Sequence, residues 1–138
     1  MFDVVFSFHP GLIMQQWDFL LTNFGVTPDR AWVRDYDKAN YLGHYTQLFD
    51  SSKLMDRPIV IVQPPNGVYI AGEESLIDFN HPEDAVYIFG NDYKHLTEEM
   101  LEGLVSDHTV YVPQSTHHDM YAITAASCVF YDRMVKSG

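Results

Sequence analysis

The chain has 138 residues, of which 46% are hydrophobic and 20% charged, a balance typical of one globular domain and not of a disordered segment. Its formal net charge of −11, from 8 Lys plus Arg against 19 Asp plus Glu, leaves little positive charge for the phosphates that dominate nucleic-acid affinity. The charge therefore excludes DNA as an expected partner and disfavours RNA. The chain has one cysteine, no basic region at its start, and no apolar run near roughly 18 residues, so we expect a reducing, cytoplasmic compartment, no signal peptide and no membrane span.

The start of the chain predicts a strand, a turn and a helix. Residues 2–8 are rich in β-branched and aromatic side chains and predict a largely buried strand, which His9-Pro10-Gly11 ends as a turn. Residues 12–23 predict a helix, which stops at Phe24-Gly25 because glycine suits the position after a helix. The spacing predicts a helix with a broad apolar stripe, in which Ile13, Trp17 and Leu21 lie near a face formed by Leu12, Gln16, Phe19, Leu20 and Asn23.

Four further segments predict strands. Residues 30–34 predict a short strand, and residues 58–63 form an unbroken β-branched run bounded by prolines, which is typical of a central strand. Residues 85–89 and 109–112 predict two more. Strands that alternate with helices indicate an α/β fold: a mostly parallel sheet flanked by helices, in a single domain over residues 1–138.

The segments between the strands give weaker patterns. Residues 41–49 have apolar side chains at helical spacing, although a glycine in their midst disfavours a helix. Asn66-Gly67 predicts a tight turn, and residues 73–77 predict one helical turn. Thr97 is a suitable N-cap for a helix, and residues 119–136 predict the last helix. The apolar face of the helix after Thr97 consists of Leu101, Leu104 and Val105.

Several kinds of chemistry are disfavoured by what the sequence contains. His117-His118-Asp119 is a poor chelate, because adjacent side chains project differently and no second ligand pair has metal-binding spacing, so we predict no metal. Cys128 lies among apolar residues and is typical of a buried structural thiol. No glycine loop for phosphates or dinucleotides and no Gly-x-Ser-x-Gly is present.

A ligand site made largely of main chain is the remaining pattern. Gly90 ends a buried strand and lets a ligand approach the backbone, and Asn91 and Asp92 follow it. Val112-Pro113 ends the next strand, and Asp119-Met120 begins the last helix. Such an edge suits a nucleoside-like ligand. The alternative is an ordinary strand-to-helix turn in which Gly90 serves only the backbone.

Two stretches resemble a known family. Ala85-Val-Tyr-Ile-Phe-Gly-Asn-Asp92, followed by Leu96-Thr-Glu-Glu99, is similar to the second motif of the SpoU/TrmH branch of the SPOUT RNA methyltransferases. Val110-Tyr-Val-Pro-Gln114, followed by the small-residue helix from Asp119 to Asp132, resembles their third motif. The order and spacing of the two agree over about 50 residues, and the layout of residues 4–26 is similar to the first motif.

The resemblance implies a SPOUT-like fold with a deep trefoil knot over about residues 85–138 and a homodimer. It also implies S-adenosyl-L-methionine as cofactor and methylation of a ribose 2′-hydroxyl in tRNA or rRNA. Carried over position by position, the cofactor-binding residues are Gln63, Gly90, Asn91, Val112, Pro113, Asp119 and Met120.

The first motif departs from the family where catalysis is expected. Aligned on Pro10-Gly11, the family's Asn and Arg are here Leu12 and Asp18, and an acid replaces the cation that would assist the hydroxyl. Arg30 and Arg34 are the nearby replacement cations, unless they are solvated residues at the ends of a strand. Two other hypotheses follow: a non-catalytic or divergent homodimer that acts by binding protein or cofactor, and an unrelated flavodoxin-like binding domain.

Overall fold

The computed structural model describes residues 1–7, 12–34, 45, 47–63, 73–90, 96–116 and 120–137. In this part of the chain the six strands form one sheet in the order β2-β1-β5-β3-β6-β4, and every pair is parallel. The strands are β1 (Asp3–Ser7), β2 (Ala31–Arg34), β3 (Ile59–Val62), β4 (Glu73–Ser75), β5 (Val86–Phe89) and β6 (His108–Tyr111). The α-helices are α1 (Leu12–Asn23) and α2 (Ala122–Ser137). The predicted turn at His9-Pro10-Gly11, the Asn66-Gly67 turn and the cluster His117-His118-Asp119 lie outside the described residues.

Both faces of the central strands are buried. One face packs against α1 and α2 in a cluster that includes Phe6, Tyr87 and Phe89. The other face carries Val5, Ile61 and Ile88 and packs against leucines from the segments between strands, which are Leu54, Leu96, Leu101 and Leu104. Burial on two sides explains why these strands appear in the sequence as unbroken apolar runs, and it confirms the predicted parallel α/β sheet.

Helix α1 has the predicted bounds, but only part of its predicted apolar stripe is buried. Leu12 and Phe19, placed on the apolar face by their spacing, are 72% and 70% exposed. Met14, Trp17 and Leu21 face the sheet instead and are almost fully buried. Trp17 and Leu21 belong to the predicted broad stripe, whereas Leu12 and Phe19 do not face the core. Apolar residues lie on several sides of this helix, so packing against the sheet decides which of them are buried. The Trp17 ring stacks on Phe6 with centroids 4.8 Å apart, which fixes the rotation of the helix.

Glycine ends α1 as predicted. Gly25 has a φ of 74°, in the left-handed region that glycine adopts at least cost. The next amide, of Val26, donates to the carbonyl of Leu21 at 2.9 Å, so that a carbonyl in the last turn is satisfied.

Two predicted elements have other structures. The segment after Thr97 is a single 3-10 turn, Glu99–Leu101, and not a longer helix. Glu102 and Gly103 have φ values of 49° and 92°, and this left-handed pair ends the turn. Residues 73–77, predicted as a helical turn, begin as the edge strand β4 and continue into the 3-10 turn Leu76–Asp78.

The carboxyl half of α2 is fixed to the loop before β5. Arg133 donates to the carbonyl of Pro82 at 2.7 Å and to the Tyr87 hydroxyl at 2.9 Å. The His81 ring lies between the Tyr87 hydroxyl, 2.6 Å from Nδ1, and the Asp132 carboxylate, 2.7 Å from Nε2. These contacts fix the orientation of α2 through its carboxyl-terminal half. Among the described helices, none is long and apolar enough to cross a membrane.

Candidate functional site

The carboxyl ends of five neighbouring strands place five residues in one row. Ser7 pairs in register with Arg34, and the pairing of Val5 with Ile88 puts Ser7 level with Gly90. The pairings of Val62 with Phe89 and with Val110 put Gln63 level with both Gly90 and Tyr111. We call this row the edge row; in sheet order it consists of Arg34, Ser7, Gly90, Gln63 and Tyr111.

The edge row lies on the sheet face opposite α1 and α2. Side chains alternate between faces along a strand, so Ser7 shares a face with Val5, which packs in the cluster away from the helices. The same alternation places Gln63 above Ile61. Ser7, Arg34 and Gln63 are only 1%, 5% and 8% exposed. The row is therefore a buried polar strip above an apolar floor.

The positive charge of Arg34 reaches the middle of this row. Arg34 belongs to β2, and its Nη2 donates to the carbonyl of Phe89 on β5 at a distance of 2.6 Å. Because β1 lies between those two strands, the side chain crosses the end of β1. The guanidinium group thus ends beside Gly90, although its Cα is two strands, or about 10 Å, away.

The same edge is a topological switch point. From β1 the chain continues to β2, which lies toward one end of the sheet, and from β5 it continues to β6, which lies toward the opposite end. Open α/β sheets bind ligands in the crevice where neighbouring strands connect in opposite directions. The carboxyl ends of β1 and β5 form such a switch point, and the Arg34 guanidinium lies beside it.

The structure brings most of the predicted cofactor residues together at this edge. Gly90, Gln63 and Val112 follow the adjacent strands β5, β3 and β6. The main-chain N–H of Gln63 donates to the carbonyl of Val110 at 3.1 Å. Val112 is 9% exposed and belongs to the apolar cluster on the α1 and α2 face of the sheet, and the half-buried Met120 packs on that cluster. Pro113 is exposed. Asn91 and Asp119 lie outside the described residues.

Arg30, predicted as a catalytic cation, lies at the opposite edge. It precedes β2, whose four residues separate it from Arg34 by about 13 Å. Its Nη1 is 3.1 Å from the carboxylate of Asp3, which also accepts from Arg57 and from the Trp32 indole at 3.1 and 3.0 Å. Arg30 therefore serves an ion-pair cluster at the amino edge, and only Arg34 of the two predicted cations belongs to the edge row.

Most of the described cations are engaged within the protein. Lys38 and Lys94 lie outside the described residues, which leaves six of the eight Lys and Arg. Five of those six bond to protein oxygens, and these are Arg30, Arg34, Arg57, Arg133 and Lys136. Only Lys53 is an exposed cation with no such bond among the described contacts. The described surface consequently offers little positive charge to a nucleic-acid backbone.

The two positions that depart from the family motif differ in burial. Leu12 is 72% exposed at the start of α1, and Asp18 is 8% exposed on the sheet side of that helix. Neither can replace the expected cation. Across the described residues no group of three His, Cys, Asp or Glu side chains could hold a metal ion.

Sequence reasoning missed two members of the edge row, Ser7 and Tyr111. Each is a polar residue at the end of an apolar strand, and that signal is visible in the sequence. Their alignment with Gly90 depends on the pairing register of non-consecutive strands, which no local pattern specifies.

Comparison with known proteins places this architecture in a class of solved structures that includes SpoU and TrmH-family methyltransferases. One of them is the SpoU methyltransferase AviRb from Streptomyces viridochromogenes, with a TM-score of 0.68 and 14% identity over 99% of this chain and 61% of that one. Another is TrmJ from Z. mobilis ZM4, with a TM-score of 0.66 and 12% identity over 96% of this chain and 68% of that one. No protein-family model matches the sequence, and no curated protein matches it either.

These likenesses show the fold. The chain has the α/β fold of the SpoU-type methyltransferases, as the two C-terminal motifs predicted. It covers between 58% and 68% of the four matched chains, so it is shorter than the proteins it resembles.

Proposed function

We propose that this chain binds S-adenosyl-L-methionine at the carboxyl edge of its sheet and transfers the methyl group to a ribose 2′-hydroxyl of RNA. One observation carries the proposal. Gly90 and Gln63 lie level at the ends of the adjacent parallel strands β5 and β3, and Val112 lies one residue beyond that level at the end of β6, in a fold shared with SpoU-type methyltransferases. These are the positions at which the family motifs carry the cofactor loops.

The residues at this edge fit the uncharged part of the cofactor. Val112 and Met120 offer apolar surface for the adenine ring, and the main chain at Gly90 has no Cβ to keep a ligand away. None of the described cofactor residues is charged, so the ammonium and carboxylate of the methionine part need other partners. The edge is therefore suited to a flat, neutral ring.

When bound, the cofactor supplies a methyl group on a positively charged sulfur for displacement by a nucleophilic oxygen. The contribution of this chain is positioning: holding the acceptor oxygen in line with that methyl group supplies most of the acceleration. Arg34 is the cation at this edge, and its guanidinium favours negative charge on the acceptor oxygen or on a neighbouring phosphate. Val112 and Met120 exclude water from the site.

The proposal includes the trefoil knot over about residues 85–138 and a homodimer. Residues 91–95 and 117–119, which connect the strands and helix of that region, lie outside the described residues. The outer faces of α1 and α2 support the homodimer. Large apolar side chains there are 53–72% exposed, and they are Leu12, Phe19, Tyr131, Met134 and Val135. A second copy that covered them would remove these side chains from water.

The homodimer is tested by one substitution on that face. Phe19→Asp places a charge in the proposed interface and should shift the chain to a monomer in analytical ultracentrifugation. Val105→Asp is the matched control, because Val105 is 78% exposed but lies on the segment that packs on the other face of the sheet. A wild-type chain that is monomeric at all concentrations contradicts the homodimer.

A second candidate is a non-catalytic dimer of the same fold that binds cofactor or protein. The shortage of available cations and the buried acid Asp18 at the expected arginine position favour it. In that case the cofactor site is retained and RNA affinity is weak.

The two candidates differ in a paired measurement. Calorimetry with S-adenosylmethionine and S-adenosylhomocysteine reports cofactor binding, and transfer of a radiolabelled methyl group to bulk tRNA and rRNA reports catalysis. Binding with transfer supports the methyltransferase, and binding without transfer supports the non-catalytic dimer. Gly90→Val should abolish binding in a chain whose circular dichroism is unchanged. No binding of either ligand to the wild type contradicts both candidates.

A further inference from the structure

We propose that His81 is the centre of an acid-sensitive latch, which holds the carboxyl end of α2 to the segment of residues 76–87 while the imidazole ring is neutral and releases it when the ring is charged. The latch is one chain of hydrogen bonds, and its members are His81, Tyr87, Asp132, Arg133 and Lys136. The latch itself does not depend on the proposed function.

The first support is that the contacts of the latch fix the direction of each hydrogen bond. A carboxylate only accepts, so Nε2 of His81, 2.7 Å from the Asp132 carboxylate, carries a proton and donates. In a neutral ring Nδ1 is then an acceptor, and the Tyr87 hydroxyl donates to it at 2.6 Å. The Tyr87 oxygen accepts from Arg133 at 2.9 Å in turn. Neutral His81 therefore satisfies both of its ring nitrogens and the Tyr87 hydroxyl.

Protonation of His81 interrupts the latch at Tyr87. With a proton on Nδ1, two donors face each other across 2.6 Å, so the Tyr87 hydroxyl has to turn away. Tyr87 is 0% exposed and the His81 side chain is 5% exposed, so water does not reach either group in the closed latch. The closed latch consequently disfavours the charged ring, and an open one does not.

The second support is the charge around the ring. From α2 it faces Asp132, Arg133 and Lys136, and Lys136 already pairs with the carboxylate of Asp132 at 2.9 Å. Burial lowers the pKa of His81, the bond and charge of Asp132 raise it, and the two cations lower it. From β5 the ring faces Tyr87, whose pKa is raised by burial to about 12, so that its hydroxyl remains a donor. The other acids of residues 76–87 are exposed, and they are Asp78, Glu83 and Asp84.

The third support is what the latch holds in place. Arg133 also donates to the carbonyl of Pro82 at 2.7 Å, and Lys136 donates to those of Leu76 and Phe79 at 2.6 and 2.9 Å. These polar contacts all come from residues 132–136. The earlier part of α2 packs on the sheet through apolar side chains instead, and these are Ala126, Val129 and Phe130. Opening of the latch should therefore free the end of the helix and leave the rest in place.

The experiment is amide hydrogen exchange by NMR at about pH 7.5 and about pH 5.5, on either side of the ordinary pKa of histidine. After correction for the intrinsic pH dependence of exchange, the opening constant at residues 132–136 should be on the order of 3- to 10-fold larger at the lower pH, because one proton binds the open form more tightly. Low urea should change this opening little, since a local opening exposes little surface, whereas amides of β3 and β5 should exchange by urea-dependent unfolding.

Two results would overturn the latch in the wild type alone. One is an opening constant at residues 132–136 that does not depend on pH, or that follows urea as the β5 amides do. The other is a His81 ring whose nitrogen NMR signals show a charged ring, or a proton on Nδ1 in place of Nε2, at the higher pH.

Variants then assign the effect to His81. His81→Gln keeps a donor and an acceptor but cannot become charged, so opening at residues 132–136 should no longer depend on pH. Tyr87→Phe removes the hydroxyl that opposes a proton on Nδ1, so the pKa of His81 should rise, which a merely structural contact would not cause. An unchanged His81 titration in Tyr87→Phe overturns the latch, even if the Gln variant does not fold.

The matched control is His108→Gln. His108 lies on the other side of the Phe79 ring from His81, and its Nδ1 is 3.0 Å from the carboxylate of Glu74. It makes none of the described contacts with α2, so its loss should leave the pH dependence at residues 132–136 as it is. A dependence that disappears in His108→Gln would assign the effect to the wrong histidine and overturn the proposal.

The latch also makes the proposed homodimer sensitive to pH, and this part rests on the proposed function. The latched end of α2 carries Met134 and Val135, which belong to the exposed apolar face. In sedimentation, the homodimer should weaken at the lower pH in the wild type and not in His81→Gln. A homodimer that is unaffected while the end of α2 opens overturns this coupling. A monomeric wild type contradicts the homodimer, and exchange alone then decides the latch.

Discussion

Substitution of Asp3 by asparagine tests whether the amino-edge cluster is structural and separate from the candidate site. The Asp3 side chain is 5% exposed, and its two oxygens accept from Arg30, Arg57 and the Trp32 indole at 3.0–3.1 Å. Asp3→Asn keeps the shape of the side chain. It removes the negative charge and replaces one acceptor oxygen by a donor.

The cost follows from these three contacts. If the amide nitrogen faces the Trp32 indole, two donors oppose each other, and an unsatisfied buried donor costs about 1–3 kcal/mol. The contacts from Arg30 and Arg57 become bonds to a neutral acceptor, and each loses roughly half of its strength. Because both arginines are about a quarter exposed, water replaces part of that loss. We expect the free energy of unfolding to fall by about 3 kcal/mol.

Urea unfolding followed by the fluorescence of the two tryptophans measures this loss. The midpoint should fall while the dependence of the free energy on urea stays the same, since the surface exposed on unfolding does not change. Arg30→Gln should cost less, because Arg57 still pairs with Asp3. A loss below about 0.5 kcal/mol, the range of ordinary surface substitutions, would refute the structural role of Asp3. Weaker binding of S-adenosylhomocysteine by the folded Asn variant would refute the separation of the two edges.

Three further predictions concern local contacts. Tyr87→Phe removes a hydroxyl that His81 and Arg133 both contact, so it should lower the free energy of unfolding by about 1–3 kcal/mol in urea titrations. Burial lowers the pKa of His81, and hydrogen bonding to Asp132 offsets part of this shift. As the pH decreases, the unfolded chain therefore binds a proton at His81 before the folded chain does, so the free energy of unfolding should fall below about pH 6.5. His81→Gln should flatten this pH dependence in thermal melts. A dependence that survives His81→Gln contradicts this assignment. Gly25→Ala should lower the free energy of unfolding by about 1 kcal/mol in thermal melts. The φ of Gly25 is 74° and the new methyl group would meet nothing within 4 Å, so backbone strain is the expected cause. An unchanged free energy of unfolding would contradict the left-handed conformation after α1.

The strands were the part of the fold that local sequence could predict. The four residues of β3, Ile59–Val62, are all β-branched, which is typical of a strand buried on both faces, and this run predicted the strand. The bounds of α1 were predicted because Gly25 stops the helix whatever packs against it. Each of these signals is local in the chain.

The features that were missed depend on packing between distant segments. Trp17 and Phe19 are both large and aromatic, and only the stacking of Trp17 on Phe6 decides which of the two is buried. The acidic strand β4 exists because it pairs with β6, and its sequence has no strand-forming pattern. For the candidate site, the family resemblance predicted Gly90 and Gln63, but the register that aligns them with Ser7 comes from the sheet.

Binding of the cofactor at the carboxyl edge of β5, β3 and β6 is tested most directly by backbone NMR of the chain titrated with S-adenosylhomocysteine. We expect saturable shifts of the amide signals of Gly90, Gln63 and Val112, with no change at Asp3 or Arg57. Unchanged spectra at ligand concentrations on the order of 1 mM, or shifts confined to the amino edge, would contradict it.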